Sequence, residues 1–352
     1  MLHFLHVRTW DIEHSFFGQE LERSGQAYRF IKAPANLRYQ TMAGLILRVY
    51  PRLIWQLVGA ALRSLAWSRP VPDVVVVSSD LEALIFGLVR TLLRSRTRIV
   101  FQTLIITPRR NRVLNALYLA GWRLILAVTD LGICHARAEV AAYAALFPAY
   151  AHKLQFLPYG VSIFDLEAML QTPPLSEYEA VIVTAGRSGR DYKVLAQAIE
   201  GLPCRLVIIC DKASALVGVP DTPQIEIARA RFDREYIQTL AGATVVAIPL
   251  AIDDISAGQM VLLQAAALHR PVVITRTTTT LDYATDEADV LMVGLGDVMG
   301  WRTALTRLMA DPALRTCLAE ARLARYEREG STEAYVRALL AAITARFGSF
   351  SP

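Results

Sequence analysis

Asp253-Asp254-Ile255-Ser256-Ala257-Gly258-Gln259-Met260-Val261-Leu262-Leu263-Gln264-Ala265-Ala266-Ala267 reads as a small acidic loop that turns into a helix. The run Val245-Val246-Ala247-Ile248-Pro249 precedes it, and Pro271-Val272-Val273-Ile274-Thr275 follows. Both flanking runs are short, apolar and rich in β-branched residues, which is the pattern of strands buried on both faces. The order is therefore strand, polar loop, helix, strand, with the helix opening at Gly258-Gln259. The free backbone N–H groups of a helix N-terminus favour an anion such as a phosphate. In open α/β sheets, ligands sit at loops of this kind, outside the carboxyl ends of the strands.

The same alternation extends in both directions. Asp73-Val74-Val75-Val76-Val77-Ser78 leaves no polar face and predicts a buried parallel strand. Strands are also expected at 2–7, 98–103, 131–134 and 153–157, with helices between them, including a long helical region over 41–68 broken near Pro51. Gln171-Thr172-Pro173-Pro174-Leu175-Ser176 reads as a linker. Beyond it, strands are expected at 180–184, 205–210, 224–228, 244–248, 271–274 and 290–293. Repeated strand–helix units predict an α/β protein with two doubly wound parallel sheets, residues 1–170 and 171–331. A chain of 352 residues accommodates two such domains.

Composition narrows the class. The chain is 54% hydrophobic, with a mean hydropathy of +0.34, yet no apolar run is long and charge-free enough to predict a membrane span. Cys134, Cys204, Cys210 and Cys317 are scattered without metal-ligand spacing, so a reducing compartment and buried thiols are expected. No basic, cleavable leader is evident at Met1-Leu2-His3-Phe4-Leu5, and a cytoplasmic location is expected. Residues 1–170 hold 19 Lys/Arg against 11 Asp/Glu, and residues 171–352 hold 18 against 21. A first half that is both basic and apolar suits the anionic inner face of the cytoplasmic membrane. Nucleic acid is not expected, because lysine is scarce and the aromatics form no stacking platform.

A second loop accompanies the first. Gly186-Arg187-Ser188-Gly189-Arg190-Asp191-Tyr192-Lys193 directly follows the strand ending at Thr184. Its glycines allow a tight backbone path beside a ligand, and Arg187 and Lys193 carry permanent positive charge. Asp211, after another strand, and Phe232, ahead of a helix, are candidates for the nucleoside part of a ligand. In the first half, the loop Arg8-Thr9-Trp10-Asp11-Ile12-Glu13-His14-Ser15 offers Glu13 and His14 for proton handling. His135 follows a strand at the same sheet edge. No His/Cys cluster and no Asp-x-Asp motif calls for a metal.

Three segments resemble retaining glycosyltransferases of the GT-B fold. Phe156-Leu157-Pro158-Tyr159-Gly160-Val161 resembles the family's segment before the interdomain hinge. Gly186-Arg187 with Lys193 resembles the pair that holds the donor diphosphate. Pro249 through Val273 resembles the signature with two acidic residues eight positions apart. The resemblance covers residues 150–330 best. It implies two Rossmann-like domains with parallel sheets facing across a cleft, with the C-terminal helix of residues 332–352 returning to the first domain.

The resemblance also implies transfer of a hexose from a UDP- or GDP-sugar to a glycan or lipid-linked acceptor. Configuration would be retained, without a metal ion or other cofactor. Donor contacts would come from Gly186, Arg187, Lys193, Ser256, Gly258, Gln259 and Gln264. This chain departs from the signature at both acidic positions, where Ser256 and Gln264 stand. Asp254 is the nearby carboxylate expected beside the donor sugar, and the amide of Gln264 can still pair with a ribose hydroxyl. The alternative is a non-catalytic relative that binds a sugar nucleotide or a partner protein in a polysaccharide-assembly system.

Overall fold

The computed structural model describes residues 1–8, 16–32, 50–176, 179–253 and 255–348. The chain divides into two compact units, Met1–Leu157 with Val336–Pro352, and Pro158–Tyr335. The Pro173-Pro174 stretch lies within the second unit.

The first unit alternates β1 (His3–Arg8), α1 (Phe16–Arg23), β2 (Ala27–Lys32), α2 (Tyr50–Leu62), β3 (Val74–Val77), α3 (Asp80–Leu92), β4 (Arg98–Phe101), α4 (Arg112–Val128), β5 (Leu131–Cys134), α5 (Arg137–Leu146) and β6 (Leu154–Phe156). Its sheet runs β2-β1-β3-β4-β5-β6, and every pairing is parallel. All four valines of β3 are buried, as a central strand covered on both faces requires. The turn into α3 is set by a capping box. Ser79 Oγ accepts from Glu82 N at 3.3 Å, and the Glu82 carboxylate accepts from Ser79 N at 3.1 Å. The expected helical region over 41–68 lies partly outside the described residues. Its described part is α2, continued by a π-helical turn at Arg63–Trp67.

The second unit contains α6 (Leu166–Leu170), β7 (Ala180–Ala185), α7 (Tyr192–Ile199), β8 (Cys204–Ile209), β9 (Ile225–Ala228), α8 (Asp233–Ala241), β10 (Val245–Ile248), α9 (Gln259–Ala267), β11 (Val272–Thr275), β12 (Leu291–Val293), α10 (Val298–Ala310) and α11 (Pro312–Arg325). The last helix, α12 (Thr332–Phe347), begins here and ends in the first unit, where Arg346 Nε donates to the Asp130 carbonyl at 2.9 Å. The second sheet runs β12-β11-β10-β7-β8-β9, again parallel throughout.

Successive strand residues feed two cores, one on each face of this sheet. Val181, Val183, Val246 and Ile248 pack with Leu262 and Ala266 of α9. Ile182, Val245 and Ala247 pack with Leu195 of α7 and with Trp301 and Leu305 of α10. This two-sided burial explains the unbroken apolar runs in the sequence. The strand order reverses between β7 and β10, since β8 and β9 lie on one side and β11 and β12 on the other.

Candidate functional site

The two loops singled out in the sequence leave the second sheet from the strands that flank this reversal. Gly186–Asp191 follows β7, and Pro249–Gly258 follows β10. A reversal of strand order opens a crevice at the carboxyl edge, because the adjoining connections depart to opposite faces. The loops are stitched together by backbone pairing. Asp191 N donates to Pro249 O at 3.1 Å, Ala251 N donates to Gly189 O at 3.0 Å, and Arg190 bridges to Leu250. A Cβ on Gly189 would lie 3.5 Å from the Ala257 methyl, so the loops touch along their length.

Helix α9 opens on this junction. Its cap, Gly258, has φ +91°, and a Cβ there would come within 2.9 Å of Ile248 Cγ2. A glycine thus meets both the left-handed backbone and the close packing against β10. Gln259, the first helical residue, is 8% exposed, and its Nε2 has no hydrogen-bond partner among the described residues. The Oγ of neighbouring Ser256 is likewise buried without a partner among the described residues. Leaving such groups unpaired costs about 1–3 kcal/mol each, which a ligand supplying partners would recover. Two donor-capable side chains and the helix N-terminus favour an anionic ligand with several acceptor oxygens.

Positive charge is arranged in two tiers. Arg187 is exposed and pairs through Nε with Asp211 at 2.8 Å. Asp211 thus orients Arg187 from the end of β8. Lys193, in the first turn of α7, is exposed and runs its stem beside Gly218, where a Cβ would lie 3.1 Å from Lys193 Cδ. Asp191 caps the same helix, accepting from Val194 N at 3.1 Å.

Arg190 lies deeper. Its Nε donates to Ala185 O at 2.8 Å and its Nη1 to Ser188 O at 3.0 Å. Burial lowers its pKa, and the neighbouring Tyr192, Tyr236 and Cys210 act in the opposite direction. Gly186, at φ +129°, leaves room for this guanidinium, since a Cβ would sit 2.5 Å from Nη2. In the sequence nothing sets Arg190 apart from the other polar residues of its loop.

The remaining candidates are placed as follows. Gln264, on the second turn of α9, accepts through Oε1 from the buried Tyr236 hydroxyl at 2.8 Å. Burial pushes the Tyr236 hydroxyl well above the usual phenol range, with Arg190 opposing, so it remains a proton donor. Tyr236 was missed in the sequence, where its only signal is an aromatic on the helix that follows Phe232. Phe232 stands at the N-cap position of α8 and is 59% exposed. Asp253 is occupied. Its carboxylate accepts from Thr278 N at 2.9 Å, and its carbonyl accepts from Thr278 Oγ1 at 2.9 Å. Asp254, Glu13 and His14 lie outside the described residues.

In the first unit, His135 follows β5, with Nδ1 3.0 Å from the Leu157 carbonyl and Nε2 3.3 Å from Thr103 Oγ1. Burial lowers its pKa to about 4, against backbone hydrogen bonds to Leu157 and Gln102 that raise it. The ring is therefore neutral at pH 7. Among the described residues, no group of three His, Cys, Asp or Glu side chains could hold a metal ion, and no helix is long and apolar enough to cross a membrane.

Solved structures share this architecture over nearly the whole chain. Sucrose-phosphate synthase of Thermosynechococcus elongatus superposes with a TM-score of 0.71 at 16% identity, covering 99% of both chains. Anabaena Alr3699/HepE, solved in complex with UDP and glucose, superposes with a TM-score of 0.66 at 11% identity, covering 98% of this chain and 100% of that one. The fold is GT-B. Residues 179–311 match the family model for glycosyl transferases group 1, which places both loops of the GT-B second unit inside the matched region. The lipopolysaccharide core biosynthesis glycosyltransferase LpsE of Rhizobium meliloti (strain 1021) is 36% identical over 83 residues, 22% of this chain. That stretch spans 24% of the length of LpsE.

Proposed function

We propose that this chain is a glycosyltransferase that moves a hexose from a nucleoside diphosphate sugar to a glycan or lipid-linked acceptor. One observation carries the reading. A cationic, glycine-bearing loop and a small acidic loop converge on the N-terminus of α9 at the strand-order reversal, where Gln259 Nε2 and Ser256 Oγ are buried without partners among the described residues. The match of residues 179–311 to group 1 glycosyl transferases, and the UDP and glucose bound by HepE, support the same ligand class.

The chemistry follows from the charges. As the bond between the sugar C1 and the diphosphate oxygen breaks, negative charge grows on the leaving diphosphate. Arg187, Lys193 and the N–H groups opening α9 neutralise it without reorganising. The acceptor hydroxyl oxygen bonds to C1 on the face the diphosphate leaves, which retains configuration, and its proton passes to a base. Glu13 and His14 are assigned to the acceptor side, and Asp254 to the developing positive charge on the donor sugar. Gln264, held by Tyr236, and Asp211 and Phe232 at the strand edge belong to the nucleoside. The reaction proceeds without a metal ion in this reading. All four cysteines are unpaired, which suits a reducing compartment and a cytoplasmic pool of UDP- or GDP-sugar.

The test is nucleoside diphosphate release from UDP-glucose and GDP-mannose, with and without EDTA and with a lipid extract as acceptor source. Release from one donor, insensitive to EDTA and lost in Asp254→Asn, is expected. Absence of release from a folded protein that binds the nucleotide would favour a second reading, a non-catalytic relative that only binds a sugar nucleotide or a partner protein. Ser256 and Gln264, at the two positions where the family carries acids, are the observation behind that reading.

A further inference from the structure

An open cavity of about 650 Å³ lies at the amino ends of β4, β5 and β6, the edge of the first sheet opposite its strand carboxyl ends. Arg98 opens β4, Asp130 precedes β5 and Lys153 precedes β6, while Arg346 and Phe347 come from the last turn of α12. All of them belong to the first unit.

Charge in this cavity does not balance. Arg98, Lys153 and Arg346 line it and Arg90 pairs with Asp130, so four cations share one carboxylate. That carboxylate is already engaged. Its Oδ2 pairs with Arg90 and accepts from Ile99 N at 2.8 Å, and its Oδ1 lies 4.0 Å from Arg98. Lys153 Nζ donates to the carbonyls of Leu126, Ala127 and Thr129 at 2.8, 3.1 and 2.6 Å, and Arg346 donates to those of Asp130 and His152. Carbonyls satisfy the donors without bringing a net charge, so the positive excess remains. Burial lowers the Lys153 pKa, Asp130 opposes, and Arg90 and Arg346 lower it further. Arg98 makes no side-chain hydrogen bond among the described residues; its guanidinium lies 5.1 Å from the Phe347 ring centroid, and its side chain is 44% exposed. Arg346 lies over the same ring at 5.9 Å. The ring thus gathers two like charges, an arrangement that an anion between them would relieve.

We propose that this cavity binds an inorganic phosphate anion carrying more than one charge, pyrophosphate above all. Arg98 and Arg346 are its ligands, since a guanidinium fork matches phosphate oxygens. Lys153 contributes charge without a direct bond, its donors being taken by the carbonyls that end α4. A nucleotide fits less well, because Phe347 already carries both guanidinium groups and offers a base little surface to stack on. Bound here, the anion joins the start of β4 to the last turn of α12 and stiffens that turn. The donor loops belong to the second unit, so this site stands whatever those loops bind.

The experiment is calorimetric titration of pyrophosphate into the full chain carrying Arg187→Ala/Lys193→Ala, which takes the cationic donor loop out of the readout. Pyrophosphate is expected to bind, and adding Arg98→Gln should weaken it roughly tenfold or more, as loss of a charge-assisted contact implies. Rising salt should weaken it as well. Arg98→Gln should keep the melting temperature of its parent without ligand, because no side-chain hydrogen bond is lost; this separates a lost site from a misfolded chain. Pyrophosphate should also slow amide exchange in the last two turns of α12, and should not do so once Arg98→Gln is present. Two results would overturn the inference: no binding of pyrophosphate by the folded protein, or equal affinity with and without Arg98→Gln.

Discussion

Gln264 and Tyr236 show how a single pair reworks a site. The sequence places an amide at a position where the signature it resembles has an acid, and the structure shows its oxygen tied to the Tyr236 phenol at 2.8 Å. This bond aims the amide nitrogen away from Tyr236, so the free end of Gln264 is a donor. Tyr236→Phe strands Gln264 Oε1, and a loss of about 1 kcal/mol in urea denaturation is expected. A severalfold weaker UDP affinity should accompany it; unchanged affinity would remove Gln264 from the nucleoside site. His135 gives a pH-dependent prediction. Its folded pKa of about 4 lies below the ordinary 6.5, so the unfolded chain binds the proton first as pH falls. Stability from this site is complete above about pH 6.5 and declines as pH drops toward 4, by roughly 3 kcal/mol in total. His135→Gln should flatten that part of the stability profile, read by urea melts across the range. Arg187 and Lys193 are candidates because their spacing beside a glycine resembles a known motif. Arg190 and Tyr236 are not legible there, because burial and partner choice are tertiary facts that spacing does not encode.

At the scale of elements, the junction between β10 and α9 is the part most exposed to a small change. Gly258 caps α9 at φ +91° with Ile248 Cγ2 at 2.9 Å from a would-be Cβ, whereas Gly201 has φ +70° and open space. Gly258→Ala should therefore cost about 1–3 kcal/mol through strain and crowding combined. It should also weaken nucleotide binding by shifting the helix N-terminus. Gly201→Ala should cost less and leave binding unchanged. Thermal melts and UDP titrations of both variants check this, and equal behaviour of the two would contradict it. The strands were the most legible elements, since β3, β10 and β11 are unbroken β-branched runs. The loop 253–258 was legible as a loop but not in its anchoring, because Thr278 grips Asp253 from 25 residues further along the chain.

At the scale of the molecule, two parallel sheets follow from alternation alone, but their strand orders do not. Each order reverses next to the first strand of its unit, and in the second unit this reversal gives the loop pair its place. The sequence put both loops after strands without showing that those strands are neighbours. Once β7 and β10 pair, the cationic loop and the helix N-terminus must share one crevice, which is the basis for the proposed nucleoside diphosphate site. Calorimetric titration of the protein with UDP, GDP and ADP, beside the Arg187→Ala/Lys193→Ala variant, tests that claim most directly. One nucleotide should bind, and the double variant should lose on the order of 100-fold in affinity, as removal of two charge-assisted contacts implies. No binding of any of the three by the folded protein, or equal binding by the variant, would contradict it.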